Sequence, residues 1–371
     1  MNAFDIAIRR TGATARRQPT FATPRAGGVI TAPGDSALQS WNVAGHWLGV
    51  LDRALIEATD APGILGEAAR WQIGGEAKRV RARLALAAGH ALGADMLAVV
   101  KVAAAVELLH EASLVHDDLQ DRDTLRRGRK TVWVEFGEEL AITLGDWMIN
   151  QAYDVLLEME IKPTVLRRIA RAMSKAVGET VRGQAIENAN KASLTHTPEH
   201  YIDMATRKTA PLLAFPLEAV ALLAGRPDCE LQAIRSGLEC LGGAYQLRDD
   251  LIDLLGAKGR GSAGADFVEG KATLPLILFY ANADIRGKLE TEAFISAEPA
   301  IRKEGAAQWA GVLVDSPAFD HVVEMTEQLT EMGYASLRAA PCVVSKLVDM
   351  VFSRLLVPVE RPAPDCRAAM G

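Results

Sequence analysis

The chain has 371 residues, of which 49% are hydrophobic and 24% charged, with a formal net charge of -6. This composition can bury a large core and excludes a disordered chain. The acidic balance, with basic residues gathered in short stretches, argues against nucleic acid as a partner and for a small anionic ligand. Four cysteines, Cys229, Cys240, Cys342 and Cys366, form no CxxC pair and follow no secretory signal, as expected of reduced thiols in a cytoplasmic protein. Charge interrupts the longest apolar runs, at Lys101 and Glu107 in one and at Glu218 in another, so no membrane span is expected.

Residues 1–36 are rich in Pro, Gly and Thr and carry Arg9, Arg10, Arg16, Arg17 and Arg25, which reads as a flexible tail. From residue 37 to about 358 nearly everything has helical periodicity, predicting a single all-α domain, with a C-terminal tail over 359–371. The apolar share is mostly Ala, Leu and Val, which favours helix over sheet, and no alternating pattern of useful length appears. Asp95 is placed to cap a helix running to about Asp121 that is apolar almost all round and therefore central. Residues 199–224 read as a helix broken by Pro211 and Pro216; Pro211 frees the carbonyl of Arg207, beside Lys208 and Thr209. A second long helix, from about Glu230 to Leu255, contains Gly237, Gly242 and Gly243, which permit close approach of a neighbour or ligand.

Each long helix ends in DDxxD: Asp117-Asp118-Leu119-Gln120-Asp121 and Asp249-Asp250-Leu251-Ile252-Asp253. Residues four apart share a helix face with β-carbons about 6 Å apart, where like charges repel. One such cluster reads as a solvated face or a cap. Two, both inside apolar helices, call for a counter-charge, and hard divalent cations held by carboxylate oxygens supply one. Mg2+ is favoured; it keeps waters and completes its shell with phosphate oxygens, which predicts a phosphorylated substrate. Basic runs lie close by, at Lys78-Arg79-Val80-Arg81-Ala82-Arg83 and Arg126-Arg127-Gly128-Arg129-Lys130. Alone they would be solvated charge; beside a metal–phosphate site, guanidinium groups can grip phosphate oxygens in pairs. His196 and His200, four apart but without a third ligand, read as the surface of a helix start. His116 could orient an aspartate or simply pack, and Trp133, Trp147 and Met148 are assigned to the core.

These residues resemble the trans-isoprenyl diphosphate synthases of the polyprenyl synthetase family, from about Gly74 to Leu276 and more weakly beyond. The matching stretches run from Glu107 through His110 to Asp118, then Leu125-Arg126-Arg127-Gly128, Gly145-Asp146, Lys208-Thr209, Tyr245 to Asp250 and Asp266 to Pro275. The resemblance implies an isoprenoid-synthase-type helical bundle around a deep central cavity, usually a homodimer, that joins isopentenyl diphosphate to an allylic diphosphate. It implies that Asp117, Asp121 and Asp249 bind Mg2+ directly, with Asp118, Asp250 and Asp253 completing the carboxylate walls. It places the allylic diphosphate on Arg126, Lys208 and Lys271, and isopentenyl diphosphate on Lys78, Arg81, His110 and Arg127. Thr209 and Gln246 would face the reacting carbons.

The chain departs from the family pattern in three places. Glu76 and Ala77 lengthen the loop between Gly75 and Lys78; Ala82 stands where the family has proline; and Arg260 or Lys258 is nearest to the position of a family lysine. Product length follows from the first aspartate helix. Ser113 and Ala112, four and five residues before Asp117, are small, and Leu109 and Leu108 lie a turn further down as a floor. The family's large aromatics at the first two positions stop elongation early, so a geranylgeranyl (C20) or longer product is expected. A class I terpene cyclase and a non-catalytic subunit of a heteromeric prenyl synthase are the alternatives. The first would carry an Asn/Ser/Glu motif in place of the second DDxxD, and the second tends to lose its aspartates.

Overall fold

The computed structural model describes residues 36–75, 77–256 and 263–361. The expectations for residues 1–35, for Lys258 and Arg260, and for residues 362–371 with Cys366 fall outside them. Sixteen α-helices and one short hairpin make up the described fold. In chain order the helices are α1 (Ser36–Ala58), α2 (Ile64–Ile73), α3 (Val80–Leu92), α4 (Met96–Gln120), α5 (Val132–Phe136), α6 (Glu138–Leu157), α7 (Pro163–Asn190) and α8 (Pro198–Thr209). They continue with α9 (Pro211–Leu223), α10 (Asp228–Leu254), α11 (Ala265–Val268), α12 (Leu274–Asn282), α13 (Ile285–Ile295), α14 (Pro299–Asp315), α15 (Pro317–Leu337) and α16 (Cys342–Leu355). The hairpin pairs β1 (Leu125–Arg126) with β2 (Arg129–Lys130) between α4 and α5.

Asp95 starts α4 as its sequence predicts: with extended backbone, its side chain accepts from Leu97 N at 3.1 Å. Residues on all sides of α4 are buried, and α1, α3, α6 and α9 pack around it. Together they form the first apolar cluster, which α16 closes with Phe352 and Val348. The second cluster gathers Leu247, Leu251, Phe267, Leu274, Ile277 and Phe319 from the C-terminal helices with Tyr201 and Met204 of α8. The ends of α4 and α10 that carry the aspartates border one cavity.

α10 packs most closely on α15, and two glycines make the crossing possible. A β-carbon on Gly237 would lie 2.5 Å from Leu337 Cγ, and one on Gly333 would lie 2.7 Å from Leu241 Cγ. Neither fits without displacing a core leucine, so both positions need a residue without a side chain.

The proline-broken segment is a partial correction. The chain breaks at Pro211, which becomes the first residue of α9, but Pro216 sits inside α9 without ending it. α9 is apolar on nearly every side and buried along its length, so tertiary packing holds it through the missing N–H that would end an exposed helix. Among the described residues no helix is long and apolar enough to cross a membrane.

Candidate active site

The last turn of α4 and the last turns of α10 open onto one cavity of about 560 Å³. Asp117 and Asp121, one turn apart, both line it, and so do Asp249 and Asp250 from the opposite side. The two carboxylate walls therefore face a common space. Asp118 and Asp253 do not line it. Each is buried and engaged elsewhere; for Asp118, a step of one residue from Asp117 turns the side chain off the shared face, whereas Asp253, a turn beyond Asp249, is drawn to the backbone of the segment that follows α10. Asp118 accepts from Arg126 Nε at 2.6 Å. Asp253 Oδ2 accepts from Asp266 N at 3.1 Å, fixing the segment that leads to Lys271.

Asp250 accepts from Tyr201 Oη at 2.6 Å and from Gln246 Nε2 at 3.3 Å, and Thr209 Oγ1 reaches Gln246 Oε1 at 3.5 Å. Asp121 lies between two ammonium groups, Lys191 Nζ at 3.0 Å from Oδ1 and Lys271 Nζ at 3.1 Å from Oδ2. Burial works to raise its pKa, but the lysines outweigh burial and hold it below the usual carboxylate value. Asp117 has no such close partner. Burial, helped by Glu187 and Asp121, pushes it up against the pull of Lys208 and Arg126. Lys208 makes a short ion pair with Glu187. Arg126 sits against Asp118 with Asp123 behind it at 3.7 Å. The carbonyl of Asp123 is fixed by Thr131 Oγ1 and Trp133 Nε1, each at 2.8 Å.

The second basic stretch divides between the cavity and the surface. Arg81 lines the cavity, and its buried Nε lacks a hydrogen-bond partner. Burial lowers its pKa, with Glu107, Tyr245 and Glu111 opposing. Lys78 is exposed and does not line the cavity. Arg79 takes a left-handed backbone (φ 47°) and turns inward, with Nη1 3.4 Å from Glu107 and 3.6 Å from Glu111. Ala82 N donates to Glu107 Oε1 at 3.1 Å, a bond that the family's proline could not make. Arg127 is exposed at the hairpin turn. With Gly128 it supplies the two positive-φ residues (53° and 77°) that a tight two-residue turn requires.

His110 lines the cavity between these arginines. Burial, then the charges of Arg81, Arg127, Arg126 and Arg79, hold its pKa well below the ordinary value. A histidine neutral in the fold contributes stability present above about pH 6.5 and lost as pH falls below it, because only the unfolded chain takes up the proton. His110→Gln is therefore expected to flatten the acid limb of stability by about 1.4 kcal/mol per pH unit below 6.5, measured by urea denaturation between about pH 5 and 7.

Sequence reasoning missed one wall. Thr180, Gln184, Glu187 and Lys191, spaced four, three and four along α7 and its end, all line the cavity. That polar stripe at helical spacing was the available signal. His196 and His200 start α8 as expected, with Thr197 capping it, but their stacked rings, 4.5 Å apart, also border the cavity. His116 also lines the cavity, over the bare Cα of Gly145, with its Nε2 3.2 Å from Ile142 O and 3.8 Å from Asp146 Oδ1. Ser113 and Leu109 line the cavity, whereas Ala112 and Leu108 are buried in the first apolar cluster.

Among the described residues no three His, Cys, Asp or Glu side chains converge into a ready-made metal cluster. The donor set nonetheless fits Mg2+. It consists of oxygens only, from two facing walls, and leaves room for the waters and phosphate oxygens that this ion prefers.

Comparisons with known proteins place the chain among named relatives. The sequence profile of the polyprenyl synthetase family matches residues 63–307. The chain is 30% identical over 289 residues to a short chain isoprenyl diphosphate synthase of Methanothermobacter thermautotrophicus, spanning 75% of this chain and 86% of that protein. It is 31% identical over 281 residues to geranylgeranyl diphosphate synthase of Methanosarcina mazei, spanning 74% and 84%. The crystal structure of geranylgeranyl pyrophosphate synthetase from Pyrococcus horikoshii superposes with a TM-score of 0.77 at 26% identity, covering 86% of this chain and 98% of that one. A polyprenyl synthase from Caulobacter crescentus, solved with calcium and isoprenyl diphosphate, gives 0.76 at 26% identity, covering 88% and 100%.

Proposed function

The chain belongs to the polyprenyl synthetase family, and from that premise we propose that it condenses isopentenyl diphosphate with an allylic diphosphate into a linear geranylgeranyl-type or longer polyprenyl diphosphate. The observation that carries the reading is the meeting of Asp117 and Asp121 with Asp249 and Asp250 on one cavity.

Mg2+ held between these walls would supply positive charge against the diphosphate as it leaves. Arg126, Lys208 and Lys271 border the same space and add fixed cations there; in a water-poor site such charges lower the barrier to breaking the allylic C1–O bond. Arg81 and His110 orient isopentenyl diphosphate, so that its double bond attacks the allylic cation. The departing diphosphate takes the proton released. Thr209 and Gln246, joined at 3.5 Å and bordering the same cavity, would face the reacting carbons. No enzyme nucleophile takes part. We further propose a cytoplasmic homodimer, supported by the free thiols of Cys229, Cys240 and Cys342 and by exposed Ile142 and Val181 on the adjoining helices α6 and α7.

The decisive assay offers C5, C10 and C15 allylic diphosphates with labelled isopentenyl diphosphate and Mg2+. Incorporation into linear products supports the reading. A cyclic hydrocarbon, or silence without a second chain, would replace it with one of the alternatives.

The geometry also sharpens the chain-length argument. Ser113 borders the cavity and Ala112 does not. Ser113→Phe is expected to shorten the main product by at least one isoprene unit, read by mass spectrometry. Ala112→Phe instead overpacks the core, costing about 1–3 kcal/mol in urea denaturation.

A further inference from the structure

Lys191 is a cation of this site that neither the family pattern nor the sequence reading assigns. It follows the last residue of α7, and its carbonyl accepts from Ala272 N at 2.7 Å, which ties it to the segment bearing Lys271. The two ammonium groups converge on one carboxylate, Nζ of Lys191 3.0 Å from Asp121 Oδ1 and Nζ of Lys271 3.1 Å from Oδ2. Lys271 has a second anion, Glu269 Oε2 at 2.6 Å. Asp121 is the one carboxylate that ion-pairs with Lys191 among the described contacts.

We propose that Lys191 is a diphosphate-binding residue that rests on Asp121 until a divalent cation takes that carboxylate. The inference depends on the function proposed above. Lys191, Lys271, Asp121 and Glu269 sum to zero formal charge, so the cluster is self-neutralised without metal. A divalent ion on Asp121 reverses the local sign and repels both ammonium groups. Lys271 keeps Glu269. Lys191, on a flexible four-carbon stem, turns to the nearest new anion, the oxygens of the bound diphosphate. Its side chain, 27% exposed and bordering the cavity, has room to move. Lys191 is thus both a competitor of the metal and a partner of the substrate, and these roles have opposite signatures.

Calorimetry separates them on the full chain. Mg2+ alone is expected to bind Lys191→Gln about threefold to tenfold more tightly than wild type, since the internal counter-ion is gone. Inorganic pyrophosphate at saturating Mg2+ is expected to bind the same variant at least about tenfold more weakly, through loss of a charge-assisted contact. Lys191→Arg is expected to restore pyrophosphate binding. The backbone bond to Ala272 survives either change. A merely structural lysine would weaken both ligands together, and that result, or no change in either, overturns the proposal. Wild-type protein that fails to bind pyrophosphate with Mg2+ would sink the proposed function itself. Normal wild-type binding with an indifferent Lys191→Gln sinks only the role of Lys191.

Discussion

Asp117→Asn and Asp249→Asn are each expected to lower kcat/KM at least about a thousandfold, a loss of about 4 kcal/mol in transition-state stabilisation. Each removes a charged oxygen donor from one of two walls that act on the same departing diphosphate. Because the walls work as a unit, the double variant is expected to be little worse than either single one. Steady-state kinetics with saturating Mg2+ tests this, and additive losses would mean that the walls act separately. Stability should move the other way. Burial, Glu187 and Asp121 raise the pKa of Asp117, so its charged form is disfavoured in the fold at neutral pH. That penalty is absent at low pH and grows as pH rises through the shifted pKa. Metal-free Asp117→Asn should therefore melt at or above the wild-type temperature at pH 7, a sign of function held at the expense of stability. A large drop in melting temperature would reassign the carboxylate to a structural role.

The aspartate clusters and their helices were legible because the physics is local. Asp95 capping α4, an apolar run on every side of the helix and like charges one turn apart are all written within a few residues. What each carboxylate does was not. Asp118 and Asp121 belong to one motif, yet Asp118 takes Arg126 from the hairpin while Asp121 takes lysines 70 and 150 residues away. Those partners are set by how α7 and the segment after α11 return to the end of α4, which no periodicity encodes. How the basic stretch divides between cavity and surface was hidden for the opposite reason, a detail of one backbone turn. The left-handed φ at Arg79 directs that guanidinium to Glu107, while Lys78 beside it is exposed and only Arg81 of the stretch reaches the cavity.

Glu107→Ala is expected to destabilise the protein by about 3–5 kcal/mol, a large share of the roughly 5–15 kcal/mol that holds a typical domain together. Glu107 is 1% exposed in the middle of α4. One oxygen accepts from Ala82 N at 3.1 Å and the other from Arg79 Nη1 at 3.4 Å, while Arg79 Nη2 also reaches Ile73 O at 3.2 Å. Removing it leaves a guanidinium whose side chain is 10% exposed facing Glu111 at 3.6 Å and Asp52 at 3.8 Å, neither in hydrogen-bonding range, and orphans a backbone donor in the first turn of α3. The same turn carries Arg81, whose charge Glu107 supports, so the damage is directed. The KM for isopentenyl diphosphate should rise more than the KM for the allylic substrate, because Arg126, Lys208 and Lys271 are held by other elements. Glu107→Gln keeps the shape and one acceptor but not the charge, and should fall between alanine and wild type in urea midpoint. Equal rises in both KM values would indicate general loosening, and would remove the argument that Glu107 organises one diphosphate subsite from beneath.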